Sequence, residues 1–271
     1  RAMLMSIGMW AGSFAEMLIF NAKSLQNIKN NIDYCPLGTA AGFGVNIDLP
    51  REFIAQELGF KEPLTIAISA QNLRGKVESQ IVAGFVDLAA TLAHFATDLV
   101  MFTSSEFDFF DPDNALCTGS SIMPQKKNLD SAELLRAKFS KLLGAEVMLR
   151  DITRGLISGY HRDLQLSKEP LLESFADIFD MVKMAELLIT NIVPKEENLR
   201  EKCTPELFAA DRANDLVTKE GMTFRDAYRK VGNNLNKLKN INLDENLKTK
   251  KHLGATGNLG LEILEKRLEE L

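Results

Sequence analysis

Residues 76–103 read KVESQIVAGFVDLAATLAHFATDLVMFT. Within them Ile81, Phe85, Leu88, Leu92, Phe95, Leu99 and Phe102 recur at alternating steps of four and three, a heptad seam for packing one helix against another. A second stripe of smaller side chains, Val82, Val86, Ala89, Ala93, Ala96 and Val100, runs beside it. A helix apolar on two adjacent stripes is surrounded by partners rather than laid on one surface. The same spacing returns at Leu171, Phe175, Ile178, Val182, Ala185, Ile189 and Ile192. Between the two, Leu135, Phe139, Leu142, Leu143 and Val147 mark a third helix with a narrower apolar face. Helices of roughly 25–30 residues are each about 40 Å long. No segment alternates with period two, so the expected fold is all-α, a long-helix bundle.

Working outward, the stretch to about Lys29 reads as a further helix with Ile7, Trp10, Phe14 and Met17 on one face. Asn31 to Pro50 breaks the pattern with a Gly-rich run, residues 36–44, PLGTAAGFG. A second non-periodic stretch, Phe107 to Asn128, holds Pro112, Gly119 and Pro124. Loops this long inside a bundle usually carry function or are disordered. After about Pro194 the helices become short. Thr204-Pro205-Glu206 is a helix start with proline at the first position, Gly221 a stop, and Thr223 with Asp226 a capping-box start. Asn236 to Lys251 reads as a polar loop, and a last helix runs from about Asn258. The expected division is a central long-helix domain, 1–197, and a small helical C-terminal domain, 198–271.

Composition narrows the function classes. The 271 residues are 45% apolar and 25% charged, with 17 Gly and 8 Pro, so the chain is ordinary for a folded protein but poor in turn-formers. A net charge of −5 gives no basic field for nucleic acid or an anionic membrane. Met3 to Phe14 is too short to span a bilayer and lacks a basic leader. Cys35, Cys117 and Cys203 lie far apart, without metal-ligand spacing or a disulfide framework, which favours a reduced, cytoplasmic protein with no metal site.

The chemistry concentrates in Thr118-Gly119-Ser120-Ser121-Ile122-Met123-Pro124-Gln125-Lys126-Lys127-Asn128. One loop carries a flexible glycine, two hydroxyls, two ammonium groups and an amide, and Asp130 or Ser131 can cap the helix that follows. Such a loop can close over an anion and bring a hydroxyl to it. On composition alone a solvated Ser/Lys loop is the better description. The order of residues decides: Gly-Ser-Ser-Ile-Met-Pro-Gln-Lys-Lys-Asn resembles the signature loop of the fumarase/aspartase superfamily, and the Gln-Lys-Lys form is similar to that of the argininosuccinate lyases. Pro36-Leu37-Gly38 resembles a second family loop. Residues 160–169, YHRDLQLSKE, are similar to its Tyr-Asn-Arg-Asp-Leu-Gln segment with a downstream lysine, and residues 209–213 and 224–232 resemble its small C-terminal domain.

The resemblance implies a helical homotetramer with a shared central bundle. It acts without a cofactor on a small molecule, splitting argininosuccinate into arginine and fumarate by anti-elimination. It makes Ser120 the catalytic serine, Lys126 and Asn128 the groups that bind the charge-bearing carboxylate, and Tyr160, Gln165 and Lys168 the holders of the rest of the substrate. The family's catalytic histidine segment, Thr-His-Leu-Gln-Arg-Ala, is represented only by Arg1-Ala2. The expectation is therefore a chain shortened at its N-terminus and inactive by itself. None of the three histidines replaces it: His94 lies on the heptad-bearing helix as a packing residue, His161 stands where the family has Asn, and His252 is in a polar tail. Asn72-Leu73-Arg74-Gly75 departs from the family's Asn-Ser-Met-Asp, so the resemblance leaves the role of Asn72 open. Alternatives are a sister lyase of the adenylosuccinate or fumarate type, and a silent, crystallin-like structural protein.

Overall fold

The computed structural model describes residues 3–239 and 241–271. Arg1-Ala2, where the family motif breaks off, and Asn240, in the stretch read as a loop, lie outside the described residues. The chain is mostly helical. Its elements run α1 Ile7–Ile32, β1 Tyr34–Cys35, α2 Arg51–Glu57, β2 Glu62–Pro63, α3 Ser69–Asn72, α4 Lys76–Phe102 and β3 Phe110–Pro112. They continue α5 Asp130–Ile152, α6 Lys168–Thr190, β4 Ile192–Pro194, α7 Glu196–Glu201, α8 Ala209–Glu220, α9 Phe224–Gly232, α10 Leu243–Thr249 and α11 Leu261–Glu269. The strands, of two or three residues, add little: β1 and β2 pair in parallel, Tyr34 with Glu62 and Cys35 with Pro63. The chain divides into two compact units.

The larger unit comprises Met17–Met101 and Pro112–Ile192. Its centre is α4, whose two stripes are buried at Val82, Phe85, Val86, Ala89, Leu92, Phe95, Ala96 and Leu99. The helical stretch 69–102 is long and apolar enough to cross a membrane, and 44% of its apolar window is buried inside the protein. The later turns of α1 press close: a Cβ at Gly84 would sit 2.7 Å from Leu25 and from Ile28. On the other side the rings of Phe85 and Phe175 of α6 meet edge to face at 4.9 Å, an attractive arrangement of ring quadrupoles. His94 is exposed on α4 rather than packed, because its position falls on the helix face opposite the two adjacent stripes.

Charged side chains join α5 to α6. Asp177, almost buried, meets Lys138 at 3.1 Å and Lys141 at 2.9 Å; Lys138 also reaches Asp180, and Lys141 reaches Glu173. Burial alone pushes the Asp177 carboxyl up, but the hydrogen bonds and charges of Lys141 and Lys138 more than reverse this and hold it below its usual value. The α5–α6 pair leaves apolar side chains uncovered: Leu134, Leu143 and Val147 of α5, and Leu172, Phe175, Phe179, Val182 and Ile189 of α6.

Two local expectations need correction. Neither Asp130 nor Ser131 caps α5; its N-cap is Leu129, because the Ser131 hydroxyl donates to Leu116 O at 2.8 Å instead. Ile192 does not continue the α6 seam. The Asn191 side chain bonds to Leu187 O at 2.9 Å and closes the helix one residue earlier.

The second unit gathers the described residues through Glu16, Phe102–Asp111 and Val193–Glu270. Trp10 is buried among Phe14, Phe102 and Phe110, with centroids 5.5, 5.9 and 5.6 Å away. In its later part Ala213 and Leu216 of α8 pack with Ala227 and Val231 of α9. Gly221 ends α8 in the left-handed conformation at φ 68°, and the Thr223 hydroxyl accepts from Asp226 N to start α9. Pro205 opens a 3-10 turn, Pro205–Phe208, rather than an α-helix. Within the stretch read as a loop, α10 forms because Asn242 Oδ1 accepts from both Asp244 N and Glu245 N. Its first turn is tied down by Arg200 to Asp244 at 2.8 Å.

Candidate active site

The loop before α5 is closed at its neck. Thr118 and Asn128 form an antiparallel bridge, Thr118 N to Asn128 O at 3.0 Å and Asn128 N to Thr118 O at 2.9 Å. Lys127 Nζ donates to Pro112 O at 2.8 Å and buried Leu129 anchors the exit, so the base is fixed. Ser121 through Lys127 all stand exposed beyond that neck, Ile122 at 86%. Inside the loop Ser120 Oγ accepts from Ile122 N at 3.2 Å and Met123 N at 3.1 Å. Two backbone donors on one hydroxyl oxygen favour negative charge there. The Lys126 ammonium forms no ion pair among the described residues. Ser120, Lys126 and Asn128 thus share one small anchored loop.

The second group lies between α5 and α6. Gln165 Nε2 donates to the Tyr160 hydroxyl at 3.1 Å, so these two side chains act together; Lys168 is exposed at the first residue of α6. The segment rests on residues at the end of α3 and in the turn before α4. Gly159 N donates to Asn72 Oδ1 at 2.9 Å, Arg74 Nη2 donates to Leu164 O at 3.2 Å, and the Arg74 guanidinium stands 5.8 Å from the Tyr160 ring centroid. His161 Nε2 contacts Ile157 O at 2.8 Å; a carbonyl only accepts, so that nitrogen carries the proton. Beside them a cleft of about 260 Å³ is lined by Gln71, Asn72, Arg74, Ser158, Gly159 and His161, among others. Asn72 and Arg74 sit 87 and 90 residues before their partners, so no local spacing announces the contact.

The two groups are not brought together within one chain. The loop ends where α5 begins and the Tyr160 segment follows where α5 ends; its 23 residues make a rod of about 34 Å. No hydrogen bond or ion pair joins Ser120, Lys126 or Asn128 to Tyr160, Gln165 or Lys168. The narrow periodicity at residues 135–147, lying between the two motifs, already carried this separation in the sequence. Among the described residues, no group of three or more His, Cys, Asp or Glu side chains is placed to hold a metal ion.

A family model described as "Lyase" matches residues 1–144, over half of the chain. The chain belongs to that lyase family. Among curated relatives of this lyase-family chain, the argininosuccinate lyase of Sorangium cellulosum is 40% identical over 99% of the chain and 62% of its own length. That of Thermotoga neapolitana is 39% identical over 85% of the chain and 58% of its own length. The chain therefore spans somewhat under two thirds of these relatives. Among solved structures, an EDDS lyase in complex with formate superimposes at TM-score 0.87 with 18% identity, covering 99% of this chain and 61% of that one. The class II fumarase of Schistosoma mansoni does so at 0.69 with 16% identity, covering 85% and 56%. At such identities these likenesses speak for the fold: the lyase-family chain has the long-helix architecture of the fumarase/aspartase group.

Proposed function

We propose that the whole protein is a cytoplasmic, homotetrameric argininosuccinate lyase of arginine biosynthesis, releasing arginine and fumarate without a cofactor. The observation that carries this reading is the 40% identity, over 99% of the chain, to a relative of that name. The reaction takes a proton from the carbon beside a carboxylate, leaves a carbanion whose charge spreads into that carboxylate, and then breaks the carbon–nitrogen bond as the guanidinium nitrogen is protonated. A free serine is a poor base. The two N–H donors on Ser120 Oγ favour its deprotonated form and support this role. Lys126 and Asn128 meet the carboxylate where charge builds, and Tyr160, Gln165 and Lys168 hold the amino-acid end.

With the two groups at opposite ends of α5, the reading needs loop and segment from different copies in each site. The uncovered apolar faces of α5 and α6 supply a surface for that assembly. The histidine segment of the family motif lies outside the 271 residues, which alone should release no fumarate above background.

The test is a three-substrate comparison on the whole protein, following fumarate by ultraviolet absorbance. Argininosuccinate should be cleaved, with adenylosuccinate and malate at least ~100-fold poorer in kcat/KM, about 2.7 kcal/mol. Ser120→Ala should lower kcat by orders of magnitude, and Lys168→Ala should weaken binding of arginine. Equal turnover of adenylosuccinate overturns the substrate assignment.

A further inference from the structure

The Tyr160–Gln165 pair has little of its own to hold it in place. Tyr160 is 46% exposed, Gly159 before it has a φ of +118°, and the backbone from Arg162 to Ser167 is a 3-10 turn rather than an α-helix. Side chains that project from such a segment keep their geometry only if something outside it fixes the backbone on both sides. Two residues do this, one at the end of α3 and one in the turn before α4. Asn72 Oδ1 takes the Gly159 N–H immediately before Tyr160, and Arg74 Nη2 takes the Leu164 carbonyl immediately before Gln165. The same guanidinium lies against the Tyr160 ring, where a cation is attracted to the π face.

We infer that Asn72 and Arg74 are positioning residues for substrate binding: together they fix the backbone before each member of the Tyr160–Gln165 pair and the ring of the first. This rests on the reading that Tyr160 and Gln165 hold the amino-acid end of the substrate. Arg74 suits the task because its fork makes a directed hydrogen bond while its delocalised charge stands 5.8 Å from the ring centroid. A lysine can supply the charge but not both contacts at once. The brace acts on binding rather than on proton transfer, since the pair it fixes holds the amino-acid end of the substrate and not the carbon that loses the proton.

The test is steady-state kinetics of the whole protein with argininosuccinate, alongside hydrogen exchange of residues 158–166. Arg74→Met should raise KM about tenfold and leave kcat within about twofold, the loss of one hydrogen bond and one cation–π contact. Asn72→Ala should raise KM by a smaller factor, and Arg74→Lys should fall between Arg74→Met and the parent. Combined with Gln165→Ala, Arg74→Met should add less than about twofold further, because both disable the same pair. Exchange in 158–166 should quicken in Arg74→Met and Asn72→Ala while α4 and α6 stay protected. A raised KM in Gln165→Ala beside unchanged KM and exchange in Arg74→Met overturns the brace and leaves the site reading standing. Full additivity of the two substitutions also overturns the brace. An unchanged KM in Gln165→Ala overturns the site reading, and the inference with it.

Discussion

Thr91 of α4 donates its hydroxyl to Asn21 Oδ1 of α1 across 2.8 Å, and both side chains are buried. A polar pair inside an otherwise apolar helix contact fixes register, since sliding either helix strands both groups. Thr91→Val keeps the shape and leaves the Asn21 amide without its donor, an expected loss of about 1–3 kcal/mol. Thr91→Val with Asn21→Leu should recover much of it. Urea midpoints of the two variants check this.

Gly75 joins the brace to α4. Its φ is +78°, and a Cβ there would fall 2.1 Å from Thr153 Cγ2 at the end of α5; its N–H donates to Glu78 Oε2. Gly75→Ala meets both a strained backbone and a clash, so it should cost more than about 2 kcal/mol. Gly75→Ala with Thr153→Ser removes the clashing methyl but not the strain and should recover only part. Thermal unfolding of both variants separates the two causes.

Acid should loosen the α5–α6 contact. Asp177 is held below its usual value, so the stability it contributes is full above the unfolded pKa of about 3.9 and is lost as pH falls through its folded value. Lys138, which burial lowers but Asp180 and Asp177 raise more, contributes in the opposite sense: its share is full at neutral pH and lost only above the ordinary lysine range. Asp177→Asn should cost about 1–2 kcal/mol at pH 7 and flatten the decline in stability below about pH 4. Denaturant midpoints from pH 2 to pH 7 provide the measurement.

The length of α5 makes a prediction about mixtures. If each site joins the loop of one copy to the Tyr160 segment of another, Ser120→Ala and Gln165→Ala proteins, each impaired alone, should regain activity when unfolded and refolded together. The gain should vanish with Phe179→Glu, which puts a charge on the uncovered face of α6 and should lower the mass seen by light scattering. No gain on mixing would show that the loop and the Tyr160 segment do not serve one site.

What was legible in the sequence was what repeats or runs contiguously. The stripes of α4 could be read because every third or fourth side chain meets the same neighbours, and most of the buried residues of α4 lie on them. The signature loop could be read because its groups follow one another in the chain. α10 could not, since it holds through the Asn242 cap and ties to Arg200 and Asp211, with no apolar period to mark it. Nor could the contact of Asn72 with Gly159, which only the packing of α4 beside the end of α5 creates.

The second unit sets an order of events during synthesis. Gly8 lies against Leu259, and Glu16 pairs with Arg267 at 2.6 Å across 251 residues of chain. Entropy alone taxes so long a closure only slowly with length. On a ribosome, however, the first helix leaves the exit tunnel long before its C-terminal partners exist, while the stretch ending at Ile192 already supplies every segment of the larger unit. The nascent chain therefore carries the first turns of α1 half-sheltered until residues 259–267 have been made, an interval in which a chaperone has an apolar helix face to hold.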